Sequence, residues 1–253
     1  MSEREYYESF KGWGSDIDER EKERVTKTLS IIPNDVSSVI DIGCGDGRIA
    51  NKLTSFERVV GLDFSKTALG YVKVGKIMAS STALPLCNES FELCIMAEVL
   101  EHLSDFEYQK TLHDAERIAR TYVIITVPYE QSLNGLLCKC ANCGHTYSGT
   151  IMAGEHVRSF SLEKLASLFT KFYLKRVMCI GKTHSDPLLK MKQRLGYYYT
   201  NDAVCPVCGS SKQSSKKKGL TYKVLSGINR IIAKKKPVWI ACLYETIKGN
   251  KQK

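Results

Sequence analysis

VIDIGCGDGRIA, residues 39–50, carries a short apolar run into three glycines at alternate positions, Gly43, Gly45 and Gly47. Such a run followed by glycines reads as a buried strand turning sharply into a helix. Glycine belongs where the backbone takes unusual angles and a ligand must approach without a Cβ in the way. The stretch therefore predicts a nucleotide-cradling turn after a first strand. A dinucleotide fingerprint would read Gly-x-Gly-x-x-Gly, its third glycine packing helix on strand. Here the spacing is Asp41-x-Gly43-x-Gly45-x-Gly47, with an acid inside the strand end. Twenty residues beyond Gly43 comes Asp63, at the end of RVVGLD and placed to accept two ribose hydroxyls.

Outward from that turn, strand candidates recur at regular intervals: SVIDIG, RVVGLD, KIMAS, FELCIMAE and YVIITVP. SKTALGYVKV and DFEYQKTLHDAERIAR, with helical spacing, lie between them. Strands alternating with helices predict an α/β fold with a parallel sheet wrapped on both faces, ligands sitting at the carboxyl ends of its strands. DIDEREKERVTKTLSII predicts a charged helix covering the sheet from outside. Beyond Pro128 comes a cysteine-bearing loop, then SLEKLASLFTKF as a helix. YLKRVMCIG and VWIACLYETI read as a final strand pair split by a long insertion.

The chain has 253 residues, 43% of them hydrophobic, enough for one substantial core. No apolar run approaches the ~20 residues of a membrane span, and MSEREYYESF is no signal peptide. The expected compartment is the cytoplasm, where ten cysteines do not form a disulfide framework. The net charge of +10 is unevenly placed. From Lys212 onward stand 12 Lys and Arg against Glu245 alone, leaving 25 basic and 26 acidic residues before it. A neutral body carries a basic tail.

VIDIGCGDG, VVGLDFS, ALPLCNESFELCIMAEVLEHL and YVIITVP, in this order and at this spacing, resemble the class I S-adenosylmethionine-dependent methyltransferases. The small-molecule branch that includes ubiquinone and menaquinone biosynthesis enzymes is the most similar. The resemblance runs from Val39 to Pro128 and more weakly to Phe172. It implies a Rossmann-like seven-stranded sheet with helices on both faces. It also implies that S-adenosylmethionine, which has a sulfonium and an amino group and no pyrophosphate, is the ligand of the glycine turn. By the same resemblance Gly43 and Gly45 meet the methionine moiety, and Asp41 faces its positive end. Cys44 lies in the same loop, its thiol reading most simply as core. Asp63 would hold the ribose and Phe64 pack on adenine, while Ala97 contributes backbone at the amino end. Relatives place an acid before the Leu-Pro element to accept the adenine amino group. Ser80 and Ser81 stand there in this chain, giving a weaker, uncharged acceptor. Glu98 and His102 fall near the substrate mouth. The Asn/Asp-Pro-Pro-aromatic element of enzymes acting on exocyclic amines of bases is missing, which argues against that substrate class.

Cys140-x-x-Cys143-Gly and Cys205-x-x-Cys208-Gly have the form of two zinc knuckles. Together they predict one structural zinc closed by four thiolates, with Cys138 and His145 as alternative ligands. The metal would staple two loops roofing the substrate entrance. A redox pair is the rival, and it gives no reason for a second matching motif. Cys87, Cys94, Cys179 and Cys242, in apolar strands or turns, read as core.

The expected reaction is methyl transfer to an oxygen or nitrogen, less readily a carbon, of a small molecule or sugar conjugate. His156, His102 and Glu98 are the candidate bases. Arg158, in the His-x-Arg-x-Phe segment, would fork a substrate carboxylate or phosphate, or else clamp its loop. Two other readings stand beside this: an RNA or protein methyltransferase docking through the zinc loops and basic tail, and a non-catalytic cofactor-binding partner module. LTYKVLSGINRIIAKK predicts a helix with Leu220, Val224, Ile228, Ile231 and Ile232 on one face. Such a stripe usually packs on the body. The flanking lysines leave a membrane surface, RNA or a phosphate-linked substrate open as anionic partners. The expected division is a methyltransferase core over 1–181 with the first knuckle at 136–150, an insertion over 182–236 with the second knuckle and basic helix, and a last core strand and tail over 237–253.

Overall fold

The computed structural model describes residues 3–148, 156–200, 204–205 and 207–247. The end of the first knuckle segment, the Gly154–Glu155 start of the His-x-Arg-x-Phe stretch and the last lysines lie outside the described residues.

Seven strands form one sheet: β1 (Ser38–Ile42), β2 (Arg58–Asp63), β3 (Gly75–Met78), β4 (Phe91–Ala97), β5 (Ala119–Pro128), β6 (Phe172–Ile180) and β7 (Trp239–Thr246). Their spatial order is β3-β2-β1-β4-β5-β7-β6. The first five run parallel, and β7 inserts antiparallel between β5 and β6. Alternate residues of the central strands enter different cores, as a period of two demands. Val39, Ile95, Ile124 and Ala241 face one side, and Ile40, Met96, Ile125 and Cys242 face the other. Strands buried on both faces explain the unbroken apolar runs VIDI and VIITV. Helix α2 (Glu19–Leu29) covers the first side with Val25. Helix α3 (Asp105–Ile118) covers the second with Leu112, Ala115 and Ile118. Ser104 and Glu107 close a reciprocal capping box at the start of α3, satisfying donors that the first turn leaves open. The seven-stranded sheet with helices on both faces is the architecture expected from the sequence.

The helix expected after the glycine turn is only a 3₁₀ turn, Ala50–Lys52. Ten residues separate Gly47 from Arg58, and side chains hold them in an irregular path. Asp41 Oδ2 accepts from Ala50 N at 3.2 Å, and the Asn51 amide bridges Tyr71 O and Lys73 N. SKTALGYVKV likewise gives one turn, Lys66–Leu69. Cys87 and Cys179, expected in the core, are exposed. Cys87 lies in the loop before β4, and Cys179 on β6, the edge strand of the sheet.

Between β6 and β7 lies the long insertion, ending in helix α4 (Leu220–Ile232). A short antiparallel pair, Leu137–Lys139 with Thr146–Ser148, carries the first cysteine motif.

Candidate active site

Asp41 near the end of β1, Asp63 at the end of β2 and Ala97 at the end of β4 converge on the carboxyl edge of the sheet, where β1 turns. The turn needs its glycines. Gly43 has φ +69°, and a Cβ there would come within 2.5 Å of Val99. Gly45 has φ +53°, and its Cβ would meet the Trp13 ring at 3.0 Å. Asp63 fixes the turn from below: Oδ2 accepts from Gly45 N at 2.8 Å and Oδ1 from Ser65 N at 2.9 Å. A cavity of about 380 Å³ opens over these residues.

The cavity is rich in carboxylates. Asp41, Asp46, Asp63, Glu21 and Glu98 line it, against Arg24 and Arg48. Burial pushes the Asp41 carboxyl up to about 7, against the Ala50 N–H that favours its ionised form. Burial also raises Asp63, opposed by the N–H groups of Ser65 and Gly45. These are acids held at a cost, so a cation entering the cavity would relieve their desolvation. Burial raises the Cys44 thiol too, and its sulfur packs against Gly61, as a core thiol does.

Of the expected cofactor residues, Asp41, Gly43, Cys44, Gly45, Asp63, Phe64, Ser81 and Ala97 all line this cavity. Ser80 lines an adjoining hollow with Met78 and Glu107. Ser81 receives a hydrogen bond from Thr111 Oγ1 at 3.1 Å, which leaves its hydroxyl free to donate onward.

At the other end of the cavity stand His102 and Glu98. His156 lies behind His102, their ring centroids 4.6 Å apart and edge-to-face. His156 Nδ1 meets Gln131 Oε1, and burial lowers its pKa, so the ring is neutral near pH 7. Glu101, wholly buried, joins them: one ligand atom each from Glu101, His102 and His156 lie within 4.8 Å of one another. Three such donors could hold a divalent cation as well as a proton. Glu98 has φ +58°, an uncommon conformation for a residue with a side chain. Its Oε2 accepts from Trp239 Nε1 at 2.8 Å, and burial pushes its carboxyl up to about 7. Arg24, buried beside Glu21, supplies the counter-charge to Glu98 and Glu101.

Arg158 is not among the residues lining the cavity. Its Nη2 donates to Leu103 O at 3.2 Å and Asp105 Oδ1 at 2.8 Å, and its guanidinium lies 4.0 Å over the Tyr108 ring. The second of its two expected roles, clamping the loop to the start of α3, is the one these contacts serve.

The four knuckle cysteines meet, although 62 residues separate Cys143 from Cys205. Cys140 Sγ is 3.5 Å from Cys208 Sγ, Cys143 Sγ is 3.6 Å from Cys205 Sγ, and all four lie within 4.8 Å. Each motif closes the same way, with Gly144 N donating to Cys140 O and Gly209 N to Cys205 O. Cys138 is buried beside them and His145 contributes its carbonyl to Cys140 N, but neither belongs to the four-sulfur group. Among the described residues, the cysteine loops supply none of those lining the cavity. Tyr7, Phe10 and Trp13 of the N-terminal segment do line it.

A family model described as "Methyltransferase domain" matches residues 40–125. The chain carries an S-adenosylmethionine-dependent methyltransferase domain. A curated relative from Mycobacterium tuberculosis, named "Probable S-adenosylmethionine-dependent methyltransferase", is 26% identical over 167 residues, covering 62% of this chain and 56% of its own. The chain thus spans little more than half the length of the curated relatives it matches. Among solved structures, the methyltransferase domain is similar to the methyltransferase in a complex with the Haloferax volcanii Trm112 methyltransferase activator. That match has a TM-score of 0.62 and 13% identity, covering 97% of each chain. An S-adenosylmethionine-dependent methyltransferase of Thermotoga maritima gives 0.52 and 15%, covering 89% of this chain and 88% of that one.

Sequence reasoning missed three parts of this candidate site. Helix α1 (Glu3–Ser9) and the following turn bring Tyr7, Phe10 and Trp13 onto the cavity. Trp13 Nε1 donates to Tyr7 O at 2.8 Å, and Tyr7 meets Phe64 edge-on at 5.4 Å. Aromatic residues set in the polar stretch EYYESFKGWG were the available signal. Glu101 was visible in the EVLEHL element beside His102. Arg24 had no signal, since it sits among six other charged residues of one helix.

Proposed function

We propose that this chain transfers a methyl group from S-adenosylmethionine to an oxygen or nitrogen of a small molecule or sugar conjugate. The observation that carries the reading is the carboxylate excess of the cavity over a glycine turn. It suits a ligand with an ammonium and a sulfonium and opposes one with phosphates. When bound, S-adenosylmethionine supplies an electrophilic methyl group on sulfur. Asp63 keeps two acceptor positions for ribose hydroxyls beyond its bonds to Gly45 and Ser65. Asp41 faces the amino end, Phe64 and Ser81 the base.

Displacement at a methyl group needs mainly alignment of nucleophile and leaving group. His102 is the group on the cavity wall able to take a proton from the acceptor. Glu101 and neutral His156 sit where they hold His102 and share the charge it gains. Glu98, bonded to Trp239, positions this end of the pocket and does not serve as its base. The test is incubation with methyl-labelled S-adenosylmethionine and fractionated extract. Label in a small-molecule fraction, lost with His102→Ala and retained with Arg158→Lys, is expected. Label only in RNA or protein would favour the macromolecular reading.

We also propose a structural zinc on Cys140, Cys143, Cys205 and Cys208. The sulfur pairs at 3.5 and 3.6 Å approach the roughly 3.8 Å edge of a tetrahedron with Zn–S near 2.3 Å. The Asn142 N–H to Cys140 Sγ contact, 3.4 Å, is of the kind that steadies a thiolate ligand.

A further inference from the structure

Helix α4 presents its apolar stripe outward. Tyr222, Leu225 and Asn229 anchor the helix: Tyr222 meets Tyr197 at 5.1 Å, Leu225 is buried, and Asn229 Oδ1 accepts from Leu188 N. On the opposite side, at spacings of three and four, Leu220, Val224, Ile228 and Ile231 stand exposed, with Ile232 at the margin. Ile231 is 84% and Leu220 79% exposed. Isolated aliphatics on a surface are ordinary, but a whole helical face of them is not.

Charge says what covers that face. From Val204 to Tyr244 the sequence holds nine lysines and arginines and no acid. Lys216–Lys218 precede the helix, Lys223 and Arg230 rim its face, and Lys234–Lys236 follow. A partner protein of mixed charge has no reason to be met by an acid-free rim. A nucleic acid would use the lysines and leave the aliphatics in water. An anionic lipid surface uses both, with aliphatic side chains among the acyl chains and lysines at the headgroups. The 13-residue helix is about 20 Å long, too short to span a bilayer and long enough to lie in its interface. No helix among the described residues is long and apolar enough to cross a membrane.

We infer that α4 docks this protein on an anionic membrane surface, lying in the interface with Leu220, Val224, Ile228 and Ile231 inserted. The inference stands apart from methyl transfer and holds whatever the acceptor is.

The test is co-sedimentation of the full chain with vesicles of pure phosphatidylcholine and with vesicles containing phosphatidylglycerol. Binding to the second, at least tenfold tighter than to the first and weakened by salt, is expected. Ile228→Asp with Ile231→Asp should reduce it tenfold or more while leaving the melting temperature unchanged, since both side chains are exposed. Three results would overturn the inference. One is equal or no binding to the two vesicle types. Another is loss of binding in Lys234→Glu/Lys235→Glu with the aspartate variant unaffected, which would mark a polyanion site. The third is a dimer that the aspartate variant dissolves, without vesicle binding by either protein.

Discussion

Replacing Asp63 by alanine disturbs two things that the structure separates. The carboxylate is the ribose acceptor of the proposed site, and it also receives the N–H groups of Gly45 at 2.8 Å and Ser65 at 2.9 Å. A hydrogen bond to a charged acceptor contributes roughly 1.5–3 kcal/mol, so losing the ribose contact should weaken S-adenosylmethionine roughly ten- to hundredfold. The two stranded backbone donors add a cost to the empty protein. They lie beside an open cavity where water can replace the lost acceptor, which puts the cost near the lower bound, about 2 kcal/mol in total. For a chain of this size that is a fall of roughly 4–8 °C in melting temperature.

Asp63→Asn discriminates between the two effects. It keeps one acceptor oxygen and places an amide N–H₂ against one of the donors, so stability should be partly restored and affinity should not. Titration calorimetry with S-adenosylmethionine and its demethylated product reads the affinity, and thermal unfolding reads the loop. An Asp63→Ala protein binding within roughly twofold of wild type would refute the ribose assignment. An unchanged melting temperature would refute the claim that Asp63 holds the glycine turn.

Glu98 gives a pH prediction. Its folded pKa, about 7, lies above the ordinary carboxylate value, so folded protein retains a proton that unfolded chain has lost between about pH 4.5 and 7. Its contribution to stability falls as pH rises through that window. Glu98→Gln, neutral throughout and still able to accept from Trp239, should melt higher than wild type at pH 8 by roughly 7–14 °C, with the gap closing toward about pH 4; an offset independent of pH counts against a buried titrating carboxyl. Cys205→Ser should remove one tightly held zinc per chain, lower thermal stability and leave cofactor affinity within about threefold, or ~0.7 kcal/mol. Elemental analysis finding no metal in wild-type protein purified without chelator would overturn the zinc site. Trp13→Ala removes the ring over Gly45 and should weaken cofactor binding roughly tenfold with little change in the sheet's stability, as calorimetry and circular dichroism would show.

The sheet was legible because its strands are buried on both faces and announce themselves as apolar runs ending in Asp41, Asp63 and Ala97. Short connections were not. The segment after Gly47 looked helical because glycine turns commonly open helices, but Asp41 and Asn51 take its backbone groups and hold a 3₁₀ turn instead. The cysteines were legible as a set through their matched spacing, while their position relative to the cavity depends on where the β5–β6 and β6–β7 connections fold. Arg158 shows the limit differently: an arginine can fork a ligand or a carbonyl, and only placement beside Leu103 O and Asp105 selects the second. The stripe on α4 had the pattern of a packing face, and its orientation was invisible until Tyr222, Leu225 and Asn229 were seen to anchor the other side.

Polar tethers join aromatic contacts in holding the N-terminal segment over the cavity. Glu8 receives the N–H groups of Lys66 and Thr67, which hold its carboxyl down to about 2, so it stays ionised at any ordinary pH. Gly14 N donates to Asp46 Oδ2 at 2.9 Å, and Trp13 folds back onto Tyr7 O. Glu8 thus binds the segment to the loop after β2, and Gly14 to the glycine turn. Those same two loops carry Phe64 and Gly45, two of the proposed cofactor-facing positions. A ligand that ordered the glycine turn would therefore order the seat of Trp13. Asp63, the proposed ribose acceptor, holds the Gly45 N–H beneath the Trp13 ring and would thereby couple the segment to the cofactor.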